Sequence, residues 1–530
     1  MQTPDWTFPY PSTRMPVFCR RGVATSQPLA AQAGLAVLRE GGNAIDAAIA
    51  SAITLTVVEP NMNGIGSDAF AILWDGENLH GLNASGHSPA GWTPDRFAGK
   101  SAMPVRGWDA VTVPGCVSAW VALSERFGRL PFARLFEDAI HFATEGFMVP
   151  PIEAANWAKQ AEELQVHPDF KRDFMPEGRT PRAGEYFKFP AQARTLREIA
   201  ETKGESFYRG ALAKKMASHA LAGGGALTEA DLAAHQVDWV KPLEIDFHGH
   251  TLHEIPPSGQ GISALIALGI LKEIPGFALL PPDSVQSVHY QVEAMKLAFA
   301  EVHARVADPA YMKDDPHLWL TPDYLASRAK WIDPNKAQKF GPSEIAKGGT
   351  VYLTATDDEG RMVSFIQSNY MGFGSGIVVP ETGISLQNRG CGFSLIEGHP
   401  NQVGASKRPY HTILPGFVTK EGKPVMSFGV MGAIMQPQGH AQMMIRMGLH
   451  QQNPQAAVDG PRWQVDADQN TDLEPHFGAE TISALRAMGH TPPPSGSAFG
   501  FGGAQLMLKM QNGGYCAASD SRKDGLVAGD

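Results

Sequence analysis

Cysteine is scarce in this chain: Cys19, Cys116, Cys391 and Cys516 are the only four in 530 residues, and no two form a CxxC pair. That spacing is poor for zinc and for a disulfide framework, so reduced thiols in a cytoplasmic protein are expected. No apolar run is long enough to span a bilayer. The opening stretch, Met1-Gln-Thr-Pro-Asp-Trp-Thr-Phe-Pro-Tyr-Pro11, has no basic region leading into an apolar run, so a secretory signal is not expected either. Lys and Arg number 44 against 54 Asp and Glu, a formal charge of −10. This balance offers no electrostatic footprint for nucleic acid or an anionic membrane, and a small or neutral partner fits better. HExxH and other tight His/Asp/Glu spacings are absent, which counts against a metal-dependent amidase.

What is present is ordinary globular material. Hydrophobic residues make up 43% of the chain and charged residues 18%, enough for a large buried core. Residues 28–58 predict two helices separated by Gly41-Gly42, with Asn43 as N-cap of the second and Asp46 three residues on. A glycine loop, Asn61 to Asp68, leads into two short strands around Asp75-Gly-Glu-Asn78. Residues 285–306 carry apolar side chains at helical spacing. After residue 350 hairpins dominate: Thr350–Thr356 with Arg361–Ser368, a second from about Thr412 to Val430, and a third from about Gln505 to Ala518. Helical segments are expected near 436–449, 454–460 and 479–488. Strands and helices in separate runs predict layers of each and an α+β fold.

Taken alone, Gly348-Gly349-Thr350 reads as a turn entering a strand. Its company changes the reading. Gly41-Gly-Asn-Ala-Ile-Asp-Ala-Ala48, Val57-Val-Glu-Pro60, Gly64-Ile-Gly66, Pro256-Pro-Ser-Gly-Gln-Gly261 and Glu293-Ala-Met-Lys-Leu-Ala-Phe299 precede it. Gly372-Phe-Gly-Ser-Gly376, Lys407-Arg-Pro409 and Ala518-Ser-Asp520 follow. As an ordered set these stretches resemble the gamma-glutamyltranspeptidases, from about residue 22 to the C-terminus.

The resemblance implies an αββα N-terminal-nucleophile hydrolase sandwich, made as one inactive chain that cuts itself between Gly349 and Thr350. Residues 1–349 would form a large subunit and 350–530 a small one, together one intertwined domain. The two would associate as a heterodimer, with a dimer of heterodimers left open, and no cofactor or metal is implied. The two glycines before Thr350 permit backbone conformations that a side chain would forbid. Once cut, Thr350 would carry an α-amine with a reference pKa of about 7.7–8.0, suited to act as base for its own hydroxyl. By the same resemblance the amides of Gly432 and Ala433 form an oxyanion hole, and Ser368 keeps a hydroxyl beside Thr350. On their own residues, the first also reads as a small-residue turn and the second as a polar strand residue.

The substrate positions depart from the family. Ser85 stands where the family has its carboxylate-binding arginine, Tyr370 replaces an asparagine, and Arg389 and Gly392 replace a glutamine and an ammonium-binding aspartate. His411-Thr412 replace a serine pair, and His87 adds an imidazole. Arg389 can hold a carboxylate through two charge-assisted bonds but would repel an ammonium. The expected substrate is therefore an amide with a carboxylate and no α-amine. The pattern looks like the branch that includes oxamate amidohydrolase and glutaryl-cephalosporin acylase-like proteins, and bulky Tyr370 and Met371 favour a small substrate such as oxamate. Alternatives are a glutamyl hydrolase or transferase with displaced contacts, an inactive binding protein, and an Arg389 used in a structural ion pair. His87 and His411 read equally well as structural groups.

Overall fold

The computed structural model describes residues 13–341, 349–493 and 500–530. Lys347 and Gly348 of the expected junction, and the opening stretch read for a signal, lie outside the described residues.

Two antiparallel seven-stranded sheets form the centre. In chain order the strands are β1 (Val17–Cys19), β2 (Gly22–Thr25), β3 (Asp68–Trp74), β4 (Leu79–Asn83), β5 (Asp238–Val240), β6 (Leu243–Phe247) and β7 (His250–Glu254). They continue with β8 (Gly349–Thr356), β9 (Met362–Tyr370), β10 (Gly416–Lys420), β11 (Lys423–Met431), β12 (Gly503–Lys509), β13 (Tyr515–Ser519) and β14 (Leu526–Gly529). One sheet has the order β14-β2-β8-β9-β3-β4-β5 and the other β1-β13-β12-β11-β10-β7-β6. Each therefore mixes strands from before and after Thr350.

Three apolar clusters define the layers. Phe70, Ile72, Tyr352, Ile366, Phe417 and Met431 come from both sheets and fill the space between them. Helices α1 (Pro28–Arg39) and α2 (Ala44–Val58) pack on the outer face of the first sheet against Leu353, Val363 and Phe365. Helices α3 (Ile262–Lys272), α4 (Val285–Arg305) and α5 (Met435–Met443) cover the second, against Val418, Phe428 and Leu506. The result is an αββα sandwich.

Local chemistry explains how these elements start. Asn43 accepts the amides of Ile45 and Asp46 at 2.9 and 3.0 Å, while Asp46 accepts the Asn43 amide at 3.0 Å. This reciprocal cap, worth about 1 kcal/mol, fixes the entry of a helix buried on every side. The β8–β9 hairpin turns at Asp357, whose carboxylate accepts the amides of Glu359 and Arg361, each at 3.0 Å. The three sequence-predicted hairpins, the helices over 28–58 and the long helix over 285–306 are all present.

Candidate functional site

The first residues of β8 and β3 and the last of β9 and β11 converge at one end of the sandwich. Gly349 and Thr350 open β8, opposite Tyr370 of β9, and the register shifts between Gly349 and Val351. That irregularity turns the start of the strand toward Ser368. The Ser368 hydroxyl donates to the Gly349 carbonyl at 2.6 Å and accepts from the Thr350 hydroxyl at 3.3 Å and from the Tyr370 amide at 2.7 Å. Thr350, only 2% exposed, is thus linked through one hydroxyl to the carbonyl of its own preceding peptide bond.

Gln436 of α5 donates to the Thr350 hydroxyl at 3.2 Å, and its carbonyl oxygen accepts the Leu414 amide at 2.8 Å. Gln436 tethers Thr350 to the turn that leaves β11. That turn is Gly432-Ala433, with φ of 119° and 52°. Neither amide has an acceptor among the described residues, whereas the Ala433 carbonyl is held by Gln260 at 2.9 Å. A Cβ on Gly432 would lie 3.2 Å from Met435 Cβ, so glycine fits both the angle and the space.

Arg389 is completely buried. One terminal nitrogen donates to the Thr412 hydroxyl at 2.8 Å, and the guanidinium lies 4.1 Å from the centre of the Tyr370 ring. Its Nε and Nη2 have no hydrogen-bond partner, and no carboxylate comes within ion-pair distance among the described residues. The structural ion pair considered for Arg389 is therefore absent there. Burial, opposed by Tyr370 and Asp68, lowers the pKa of this arginine below its usual range.

His411 and Asp68 lie behind Thr412. His411 Nε2 is 3.2 Å from Asp68 Oδ2, and its Nδ1 accepts the Ile413 amide at 3.4 Å, which assigns the ring hydrogen to Nε2. Burial, reinforced by Arg389 and Arg408, drives the imidazole pKa well below its usual value, so His411 is neutral. Burial pushes the Asp68 carboxyl up to about 7, against the pull of Arg389 and of the Gly86 and Gly115 amides.

Two expected substrate positions are otherwise engaged. The Ser85 hydroxyl donates to Asn83 at 2.7 Å, and its carbonyl accepts from Arg408 at 2.9 Å. His87 faces Arg408, Asp308 and Asp238 electrostatically, and burial lowers its pKa. No hydrogen bond joins either residue to Thr350. Gly392 borders a cleft of about 660 Å³ on whose wall Tyr370 and Tyr410 also stand, with Met103, Phe393 and Leu395.

Sequence reasoning passed over Asp68 and Gln436 as site residues. Their signals were an acid heading the apolar strand Ala69-Phe-Ala-Ile-Leu73, and a glutamine three residues after a Gly-Ala turn, both in stretches already singled out.

Among the described residues no helix is long and apolar enough to cross a membrane. The sequence pattern of the family described as Gamma-glutamyltranspeptidase matches residues 30–530. An oxamate amidohydrolase proenzyme of Klebsiella pneumoniae is 37% identical over 517 residues, covering 94% of this chain and 97% of that protein. A glutathione hydrolase-like proenzyme of Bacillus subtilis is 35% identical over 520 residues, covering 96% and 98%. The crystal structure of a cephalosporin acylase from Bacillus halodurans superposes with a TM-score of 0.94 at 44% identity, covering 100% of this chain and 99% of that one. Sandwich, converging strand ends and relatives agree that this chain is an amide-hydrolysing member of the gamma-glutamyltranspeptidase family.

Proposed function

We propose that the chain is a self-cleaving amidohydrolase whose nucleophile is Thr350 and whose substrate is a small amide carrying a carboxylate, with oxamate the leading candidate. The observation that carries the nucleophile is the hydroxyl relay from Thr350 through Ser368 to the Gly349 carbonyl. In maturation the Thr350 oxygen adds to that carbonyl, polarised by Ser368, and the Gly349–Thr350 C–N bond breaks as the nitrogen takes up the hydroxyl proton. Water then hydrolyses the resulting ester, leaving a Gly349 carboxylate and a free Thr350 amine. Residues 1–349 and 350–530 remain associated, because each sheet draws strands from both.

In turnover the amine takes the Thr350 hydroxyl proton as the oxygen attacks the substrate carbonyl. The Gly432 and Ala433 amides, which have no acceptor among the described residues, stabilise the oxyanion. The amine then protonates the departing nitrogen, and water releases the acid. For oxamate the products are ammonia and oxalate. The support for a carboxylate substrate is Arg389: its unpartnered Nε and Nη2 form the edge of a guanidinium that grips a carboxylate with two parallel bonds. Tyr370 packs on the guanidinium, Thr412 fixes its other end, and His411 supports the segment. His87 and Ser85 are assigned to the surrounding wall, where their partners hold the loop before Pro89.

A second reading has its own support. The cleft that Tyr370 lines has room for more than an ammonia leaving group, which favours a longer amide of the kind suggested by the likeness to a cephalosporin acylase. Both readings need Thr350 and Arg389. Intact mass spectrometry tests the common core: roughly 38 and 20 kDa fragments, scaled from the 57.0 kDa chain by residue count, are expected from wild type, and one uncut chain from Thr350→Ala. An active wild-type protein that stays whole would refute it.

A further inference from the structure

The cluster behind Thr350 contains an acid to which the hydrolytic cycle gives no task. Asp68 heads β3 directly opposite Ser368 on β9, so the two side chains share one face of the sheet. Its carboxylate meets His411, while the next residue, Thr412, accepts from Arg389. Acid and guanidinium are thus held by adjacent residues of one buried segment without forming a direct ion pair.

We infer that the Asp68–His411 pair takes up one proton when a substrate carboxylate binds Arg389, so that Asp68 sets the pH range in which the enzyme holds carboxylate substrates. The inference rests on the proposed role of Arg389. With the site empty, ionised Asp68 balances the guanidinium at a distance. A ligand carboxylate on the open edge of Arg389 puts two anions beside one cation in an enclosed space, and burial penalises the excess charge. One proton on the pair restores neutrality, and a ligand that neutralises Arg389 cancels the pull that keeps Asp68 ionised. The pair is the titrating unit, because the shared hydrogen can reside on either partner.

The other groups facing Asp68 do not provide this balance. Arg408 already has its own acid, Asp238. The Cys116 thiol and Tyr208 hydroxyl, both pushed up by burial, remain neutral across the range that matters. The α-amine of Thr350, released by scission, is a second titrating group near Ser368, and a test must separate it from Asp68.

Oxalate serves as the probe, since it cannot be hydrolysed and stays fully ionised above about pH 6. Calorimetry on the matured enzyme, in two buffers of different ionisation enthalpy, should count close to one proton taken up per oxalate bound above neutrality. The dissociation constant should rise about tenfold per pH unit there. Asp68→Asn should still bind oxalate but lose the uptake and the slope; retention of both would transfer the effect to the Thr350 amine and overturn the inference. Should Asp68→Asn fail to fold, the uncut Thr350→Ala chain, which has no α-amine at residue 350, takes its place: uptake kept there supports the Asp68–His411 pair, and clear binding without uptake, there or in wild type, refutes the inference. Arg389→Met tells the two layers apart. Undiminished oxalate binding in that variant refutes the Arg389 assignment itself, as does the failure of wild type to bind either oxalate or glutarate.

Discussion

Arg389 and Arg462 are both fully enclosed, yet the fold treats them in opposite ways. Arg462 donates to Asp520 at 2.6 Å and to the carbonyls of Phe501 and Val458 at 2.8 and 2.9 Å, so its charge is matched within the protein. Arg389 has one hydroxyl, one aromatic face and, among the described residues, no acid at ion-pair distance, Asp68 acting on it only from farther away. An enclosed cation that lacks an anion costs stability, and such a cost is retained where a ligand brings the missing charge. This contrast is what would set the carboxylate-binding role proposed for Arg389 apart from the structural role of Arg462.

Breaking the matched pair should have the larger effect on stability. Asp520→Asn leaves Arg462 buried without its anion, a loss of about 3–5 kcal/mol that should appear as a marked drop in melting temperature. Arg389→Met removes an unmatched charge and should leave the melting temperature unchanged or raised. Equal destabilisation by the two substitutions would erase the distinction.

The turn at Gly432 sharpens the comparison from the catalytic side, because it concerns turnover without altering either arginine. Gly432→Pro deletes one amide donor and cannot adopt the positive φ, so turnover should fall by roughly 10²–10³-fold when the halves are expressed separately to bypass maturation. Near-normal turnover in a folded variant would remove the oxyanion assignment.

The smallest effect is expected from acid. Burial works to raise the Asp520 carboxyl, but Arg462 and Arg522 outweigh it and hold the folded-state pKa below the ordinary value. Its contribution is thus fully present above the unfolded pKa of about 3.9 and is lost as pH falls through the lower folded value. Asp68 has the opposite sign: its raised pKa favours the folded state at low pH and weakens it as pH climbs toward 7. Thermal melts of wild type, Asp520→Asn and Asp68→Asn across this range should diverge accordingly, with the Asp520 variant alone losing its acid-side slope.

Local signals carried much of the fold into the sequence. The Asn43–Asp46 cap, the Asp357–Gly360 turn and the hairpin of Thr350–Thr356 with Arg361–Ser368 act over a few residues, and the structure has each. The strands β2 and β14 were not visible, since four-residue segments that pair Gly22 with Gly529 have no local pattern to announce them. The helices between residues 116 and 233 likewise stand outside the elements expected from the sequence. At the site, the order of motifs pointed to Thr350, Ser368 and Gly432-Ala433, which the structure places around one turn and one strand end. It could not reveal that Arg389 has no acid at ion-pair distance among the described residues or that Asp68 meets His411, because both depend on which side chains face each other across segments far apart in sequence.

Arg389 is proposed as a carboxylate receptor in a threonine amidohydrolase. Its most direct test is kcat/KM for oxamate and for a gamma-glutamyl anilide, measured on one matured preparation of wild type and of Arg389→Met. Wild type should favour oxamate, since the glutamyl ammonium meets a guanidinium where it would need an anion, a mismatch of about 3–5 kcal/mol or several hundredfold or more. Arg389→Met should lose most oxamate turnover. A preference for the glutamyl donor, or oxamate turnover unchanged by Arg389→Met, would contradict the account.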